Sequence, residues 1–363
     1  MSRHPYADLP DKHFWRRTVK AWRSEDPISL DTPKFEITQS TRIATLGSCF
    51  AQHIGRVLRE RHYSFIDYEP APSLLPVDQQ AAYGYGLFSV RSGNVYTSRQ
   101  LLQLLQRAFG EHHAEMVWET EGRFYDAYRP TIEPGGFASL DELIALRRSH
   151  ERALKRMFRE SEVLVFTMGL TELWLDQRDG TAYPLCPGTI AGHFDASIHG
   201  FRNQGFSEVL EDMESFIAGA RRRNPDLRFL LTVSPVPLAA TASRDHVVVA
   251  TSYSKSVLRA VAGELCRRHD HVDYFPSYEL VTSAGASEIS FDADMRNVTA
   301  QGVQRVMSSF VATYRAPQGE DACPTSVSVD AGVEACEQRV EEENRIELAT
   351  LCDETKLDAG PAS

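Results

Sequence analysis

The chain has 363 residues, 42% of them hydrophobic and 25% charged, with a net charge of −11. This balance fits a soluble globular protein with a sizeable core, and no apolar run of about 18 residues marks a membrane span. Neither half of the body is basic enough for a nucleic-acid surface. The charge is unevenly placed: from Ala316 to Ser363, twelve acidic residues face only Arg339, Arg345 and Lys356. That tail holds a charge of about −9 and leaves about −2 for the body. It is poor in aromatics and reads as mostly disordered, with a transient helix over VEACEQRVEEENRIELATL, serving as a solubilising appendage or as a docking segment for a protein partner. The six cysteines form no CxxC pairs, which argues against a zinc ribbon or a disulfide framework. The N-terminal MSRHPYADLPDKHFWRR has no apolar signal core, so a reducing cytoplasm is the expected location.

Along the chain, strand and helix signals alternate. Residues 1–34 read as an extension before the body, which spans 35–315. A strand over Ile43–Leu46 runs into Gly47, Ser48 and Cys49, and a helix is expected from Phe50 to Arg61. The region from about His62 to Gly136 is less regular and reads as an insertion. Ser139 and Glu142 have capping-box spacing ahead of a helix to Phe158. VLVFTMG (Val163–Gly169) reads as a buried strand, and LTELWLDQRDGTAYPLCPGT after it as loop-rich. A helix from Ser207 to Arg223, a strand over Leu227–Pro235, a helix over Thr251–His269, a strand over Val272–Phe275 and a helix over Asn297–Tyr314, capped by Thr299, complete the body. Continuous apolar strands between helices predict a mainly parallel sheet covered on both faces, with its working groups at the carboxyl ends of the strands.

Three strand ends carry polar residues: GSC, TMGLTE and TVSPVP. Ser48, where a strand turns into a helix, is either an exposed nucleophile beside free backbone N–H groups or a helix cap. Gly47 lets the backbone turn there. Cys49 is the rival nucleophile or a small core residue. Gly169 can present its N–H to a carbonyl, and Glu172 either orients a histidine, holds a polar group of the substrate or complements a helix dipole. His246, in the long loop after TVSP, leaves the same rim, whereas His53 should point away from Ser48 and His199 has no evident role. Cys186, His193 and Asp195 lack a metal-ligand spacing, and no Gly-rich phosphate loop is present, so neither metal nor cofactor is expected.

The segments GSCFAQHIGR, EPGGF, FTMGLTELW, CPGT, LTVSPVPL, YSKSVLR and DYFPSYE, in this order between Phe35 and Phe310, resemble the GSCFA domain family. That family in turn looks like a branch of the SGNH hydrolases. The resemblance implies a flavodoxin-like three-layer α/β/α sandwich and chemistry on ester or acyl groups. It would make Ser48 the nucleophile and Gly169 an oxyanion donor. Glu172 stands where the SGNH pattern has Asn, and an ionised Glu donates no hydrogen bond. Asp294-Met295-Arg296-Asn297 stands where that pattern has DxxH, so Asn297 replaces the histidine.

The function expected is hydrolysis or transfer of an acyl group on a carbohydrate or similar polar ester. Ser48 would form an acyl-enzyme with His246 as base, and Glu172 and Asp294 would assist. Gly47, Gly169 and Asn297 would line the substrate site, with Arg123, Tyr125 and Tyr128 of the insertion lidding it. The alternative is a non-catalytic protein that binds a ligand or partner on the same scaffold.

Overall fold

The computed structural model describes residues 4–19, 30, 32–112, 116–283 and 286–314. The acidic tail and its expected helix lie outside the described residues. At the centre is a parallel sheet of β1 (Ile43–Gly47), β4 (Val163–Met168), β8 (Arg228–Val233) and β9 (Val272–Tyr274), in that spatial order. β1 and β4 are buried along their whole length and β8 along all but its first residue, which is why they read as unbroken apolar runs rather than alternating ones. Outside β1, Phe65 makes a single parallel bridge to Ile43. Counting that segment, the order is the 2-1-3-4-5 of a doubly wound, flavodoxin-like sheet, and it reverses between β1 and β4.

Among the described residues, seven main helices surround the sheet. On one face lie α2 (Ser98–Ala108), α3 (Leu140–Glu160), α4 (Phe206–Arg223) and α5 (Val247–Arg268), packed around Leu46, Phe166 and Phe229. On the other lie α1 (Phe50–Glu60), α6 (Ser277–Thr282) and α7 (Ala300–Tyr314), around Ile43, Val165 and Leu230. The molecule is a three-layer α/β/α sandwich. Among the described residues no helix is long and apolar enough to cross a membrane.

Local signals set several boundaries. Ser139 Oγ accepts from Glu142 N at 3.2 Å at the start of α3, and Thr299 Oγ1 accepts from Gly302 N at 3.0 Å at the start of α7. The start of α5 differs from expectation: it begins at Val247, because His246 rather than a residue near Thr251 caps it. The segment expected to be loop-rich also differs. β5 (Glu172–Asp176) pairs antiparallel with β6 (Ala182–Tyr183) and with β7 (His199–Asn203). Glu172 therefore opens a strand, not the first turn of a helix. The insertion contains α2, with a full capping box between Thr97 and Gln100, and the hairpin of β2 (Val117–Thr120) with β3 (Arg123–Asp126).

Candidate functional site

The carboxyl ends of β1 and β4 meet where the strand order reverses, the place where such sheets hold ligands. Gly47 pairs with Thr167 there, and the two chains separate one residue later. Gly47 has φ +137°, and a Cβ on it would stand 2.5 Å from Thr167 O. Only glycine closes this corner. Ser48 follows, 2% exposed, and its N–H donates to Thr167 O at 3.1 Å. Its Oγ is buried with no hydrogen-bond partner among the described residues. The hydroxyl does not cap α1, whose N-cap position is Cys49, with no side-chain cap bond. Cys49 itself is 6% exposed and belongs to the core.

Across from Ser48 sits Gly169. A Cβ on Gly169 would lie 3.1 Å from Ser48 Cβ and 3.2 Å from the Tyr96 ring, so the two strand ends touch. Gly169 N and Leu170 N both donate to Tyr96 O at 3.0 Å. The Gly169–Thr171 turn is held from α5 as well. Lys255, 1% exposed, donates from Nζ to Gly169 O at 2.8 Å, and Ser254 Oγ accepts from Thr171 N at 3.0 Å. Tyr96, Ser254 and Lys255 are the site residues that sequence reasoning missed. Only the YSKSVLR segment hinted at the last two.

Glu172 is half-buried and accepts from Thr241 Oγ1 at 2.6 Å and from Ala242 N at 3.3 Å. Burial pushes its carboxyl above the usual range, with the Thr241 and Ala242 bonds acting against it. It is thereby tied to the loop that ends at His246, without a direct bond to that ring. His246 is exposed, and its Nδ1 accepts from Val248 N at 3.3 Å. Asp294 and Asn297 form their own turn. Asn297 Nδ2 donates to Asp294 Oδ2 at 2.6 Å, and Asp294 Oδ1 accepts from Arg296 N and Asn297 N. His53 is buried on α1 and lines a groove with Val298 and Val303, beside the Asp294–Asn297 turn. Burial, helped by Arg56, pulls its imidazole down to about 3, so the ring is neutral at pH 7. His199 Nδ1 accepts from Asp195 N at 3.0 Å, within the β5–β7 sheet.

The insertion reaches the rim through Val95, whose N–H donates to Gly47 O at 2.8 Å, and through Tyr96. Arg123 is engaged elsewhere, donating to Gly135 O and Gly136 O, and Tyr125 packs against Gly136. Tyr128 lies beneath Arg107 and Arg147.

The sequence comparison decides the family: the model of the GSCFA family matches residues 42–310. The chain belongs to the GSCFA family. The match begins just before β1 and ends inside α7, so the sheet, both helical layers and the insertion all lie within it. No curated protein matches this GSCFA chain significantly. The Gly-Ser-Cys-Phe-Ala segment itself, Gly47 to Ala51, is the β1–α1 corner described above.

Proposed function

We propose that this GSCFA protein is an SGNH-like serine esterase or acyltransferase, acting in the cytoplasm on acyl groups of a carbohydrate or similar polar ester. The observation that carries this reading is the Ser48 hydroxyl, buried and without a hydrogen-bond partner among the described residues, at the β1–β4 switch point. A hydroxyl in that state gains nothing structurally from being polar, which is expected of a group kept for a reaction partner. Ser48 Oγ bonds to the acyl carbon as its proton passes to His246, and the leaving alcohol then takes that proton. Water or an acceptor hydroxyl cleaves the Ser48 ester by the same steps in reverse. Gly169 N–H would stabilise the oxyanion.

This chemistry requires movement. Gly169 N–H has to leave Tyr96 O before it can serve an oxyanion. The His246 bond from Val248 N places the lone pair on Nδ1, so the neutral ring carries its proton on Nε2. His246 must release its helix cap before it can take a proton from Ser48. These engaged groups, with Asn297 in place of a histidine, favour the second reading: a ligand- or partner-binding protein on an SGNH-like scaffold.

A fluorophosphonate probe separates the two. The hydrolase reading expects covalent labelling mapped by mass spectrometry to Ser48 and lost in Ser48→Ala. An unlabelled, folded wild-type protein would replace it with the binding reading.

A further inference from the structure

The insertion forms a cavity of about 550 Å³ between α2, the β2–β3 hairpin and α3. None of its lining residues belongs to the Ser48 rim. Its buried end is formed by Tyr128 and Arg147, with half-buried Arg107 beside them. Val117, Phe124 and Ile144 supply an apolar wall. Glu119 and Arg148 are exposed at the mouth.

Arg107 is the unusual member. Its Nε is buried without a hydrogen-bond partner among the described residues, as is that of Arg147. Its guanidinium stacks 3.5 Å from the centroid of Tyr128, and burial pulls its pKa down to about 10, so it stays charged at neutral pH. Nearby anions are already committed. Asp126, 1% exposed, accepts from Arg129 Nε at 2.9 Å and Arg147 Nη2 at 2.7 Å. Burial opposes its ionisation, but these two guanidinium groups hold it well below the usual carboxylate range. Glu69 is bound to His150 Nδ1 at 2.7 Å, and burial pulls that imidazole down to about 4. Both oxygens of Asp126 are thus taken by Arg129 and Arg147, and the Arg107 guanidinium has no direct ion pair among the described residues. A guanidinium Nε–H taken out of water without a hydrogen bond is costly unless an acceptor meets it.

We propose that this cavity binds a small ligand with a single anionic group, a carboxylate or a phosphate, whose oxygens take the N–H groups of Arg107 while its body lies along Val117, Phe124 and Ile144. Arginine in a stacked setting suits such oxygens, because its planar fork meets two of them at once. Glu119 and Glu151 near the mouth disfavour a polyanion. A hydroxylated acid such as a uronic acid meets all of these conditions. The site does not depend on the Ser48 chemistry.

The test is titration of the full chain with sodium glucuronate or inorganic phosphate at constant ionic strength, followed by thermal unfolding and by the ¹⁵Nε spectrum of labelled arginine. We expect a saturable rise in the unfolding midpoint with at least one probe, and movement of a slowly exchanging Nε resonance. Which probe acts tells a carboxylate ligand from a phosphate. Arg107→Met should match the wild-type midpoint without ligand, because it removes a charge that has no direct ion pair among the described residues, and should lose the ligand response. Ser48→Ala should keep that response, which separates this site from the catalytic reading. The proposal is overturned if neither probe gives a saturable response in wild type, or if Arg107→Met responds equally. If Arg107→Met fails to fold, Arg107→Gln and the wild-type Nε titration decide the matter in the same way.

Discussion

A Cβ on Gly47 would meet Thr167 O at 2.5 Å and Thr167 N at 2.7 Å, on a backbone with φ +137°. Gly122 also has positive φ, +71°, but nothing lies within 4 Å of its missing Cβ. The pair separates steric closure from conformational strain. Gly122→Ala should cost about 1–2 kcal/mol, the left-handed penalty alone. Gly47→Ala should cost more than about 4 kcal/mol in urea unfolding, since backbone atoms cannot step aside. Similar costs for both would mean that the corner is not closed by contact. Ser48 offers a different contrast. Its Oγ caps nothing and bonds to nothing among the described residues, so Ser48→Ala should leave stability unchanged or raise it by up to about 1 kcal/mol, while abolishing any ester turnover. A clear loss of stability would reveal a partner for the hydroxyl and weaken its reading as a nucleophile. If His246 serves as base, His246→Ala should lower kcat for a model ester by about 10² or more, whereas His53→Ala should do less. The reverse ranking would move the base to α1.

At the level of elements, α1 shows how burial becomes pH dependence. His53 lies on its α7 side and is 5% exposed, with its imidazole pulled down to about 3 against an ordinary value of 6.5. The unfolded chain therefore binds a proton between about pH 6.5 and 3 that the folded chain refuses, and stability falls as pH drops through that window. One such proton corresponds to about 1.4 kcal/mol per pH unit, or about 2 kcal/mol lost by pH 5. His150 titrates in the same direction, so His53→Leu should reduce the acid slope without removing it. Urea unfolding at pH 7, 6 and 5 measures this, and an unchanged slope in His53→Leu would show that the ring is not buried uncharged. The same elements show what the sequence made legible. β1, β4 and β8 were readable because strands buried on both faces leave unbroken apolar runs, and Ser139 and Thr299 marked helix starts through their own side chains. β5, β6 and β7 were not. They are two to five residues long, β5 and β7 are only partly buried and mixed in polarity, and β6 is a buried pair too short to show a pattern, so their pairing comes from tertiary contact. At the rim, Gly47 and Ser48 could be read from their place at a strand–helix corner. Lys255 could not, because a lysine within an amphipathic helix looks like solvent-facing surface until the fold brings its amine to Gly169 O.

Across the whole molecule, the insertion is built into the core rather than hung upon it. Leu101, Leu104 and Leu105 of α2 belong to the same buried cluster as Phe158 of α3, Phe216 of α4 and Leu258 of α5. Thr45 N donates to Ser89 Oγ at 3.0 Å, and Tyr68 OH meets Ser161 Oγ at 3.1 Å, so the insertion is also sewn to β1 and to the start of β4. Loss of order in the insertion should then unfold the sandwich. Trp118, 8% exposed on the hairpin, reports on the insertion once Trp15, Trp22 and Trp174 are replaced by Phe, and far-UV circular dichroism reports on the helices of the whole. Their urea transitions should coincide, as required of one cooperative unit. Asp126→Asn supplies the perturbation. It leaves Arg129 and Arg147 buried without their carboxylate and should cost about 3–5 kcal/mol. Because the insertion shares the core, that cost should move both transitions to lower urea together. Earlier loss of the Trp118 signal in Asp126→Asn, with the helical signal unmoved, would show instead that the insertion unfolds as a separate unit, and would make the anion-binding cavity a property of that unit alone.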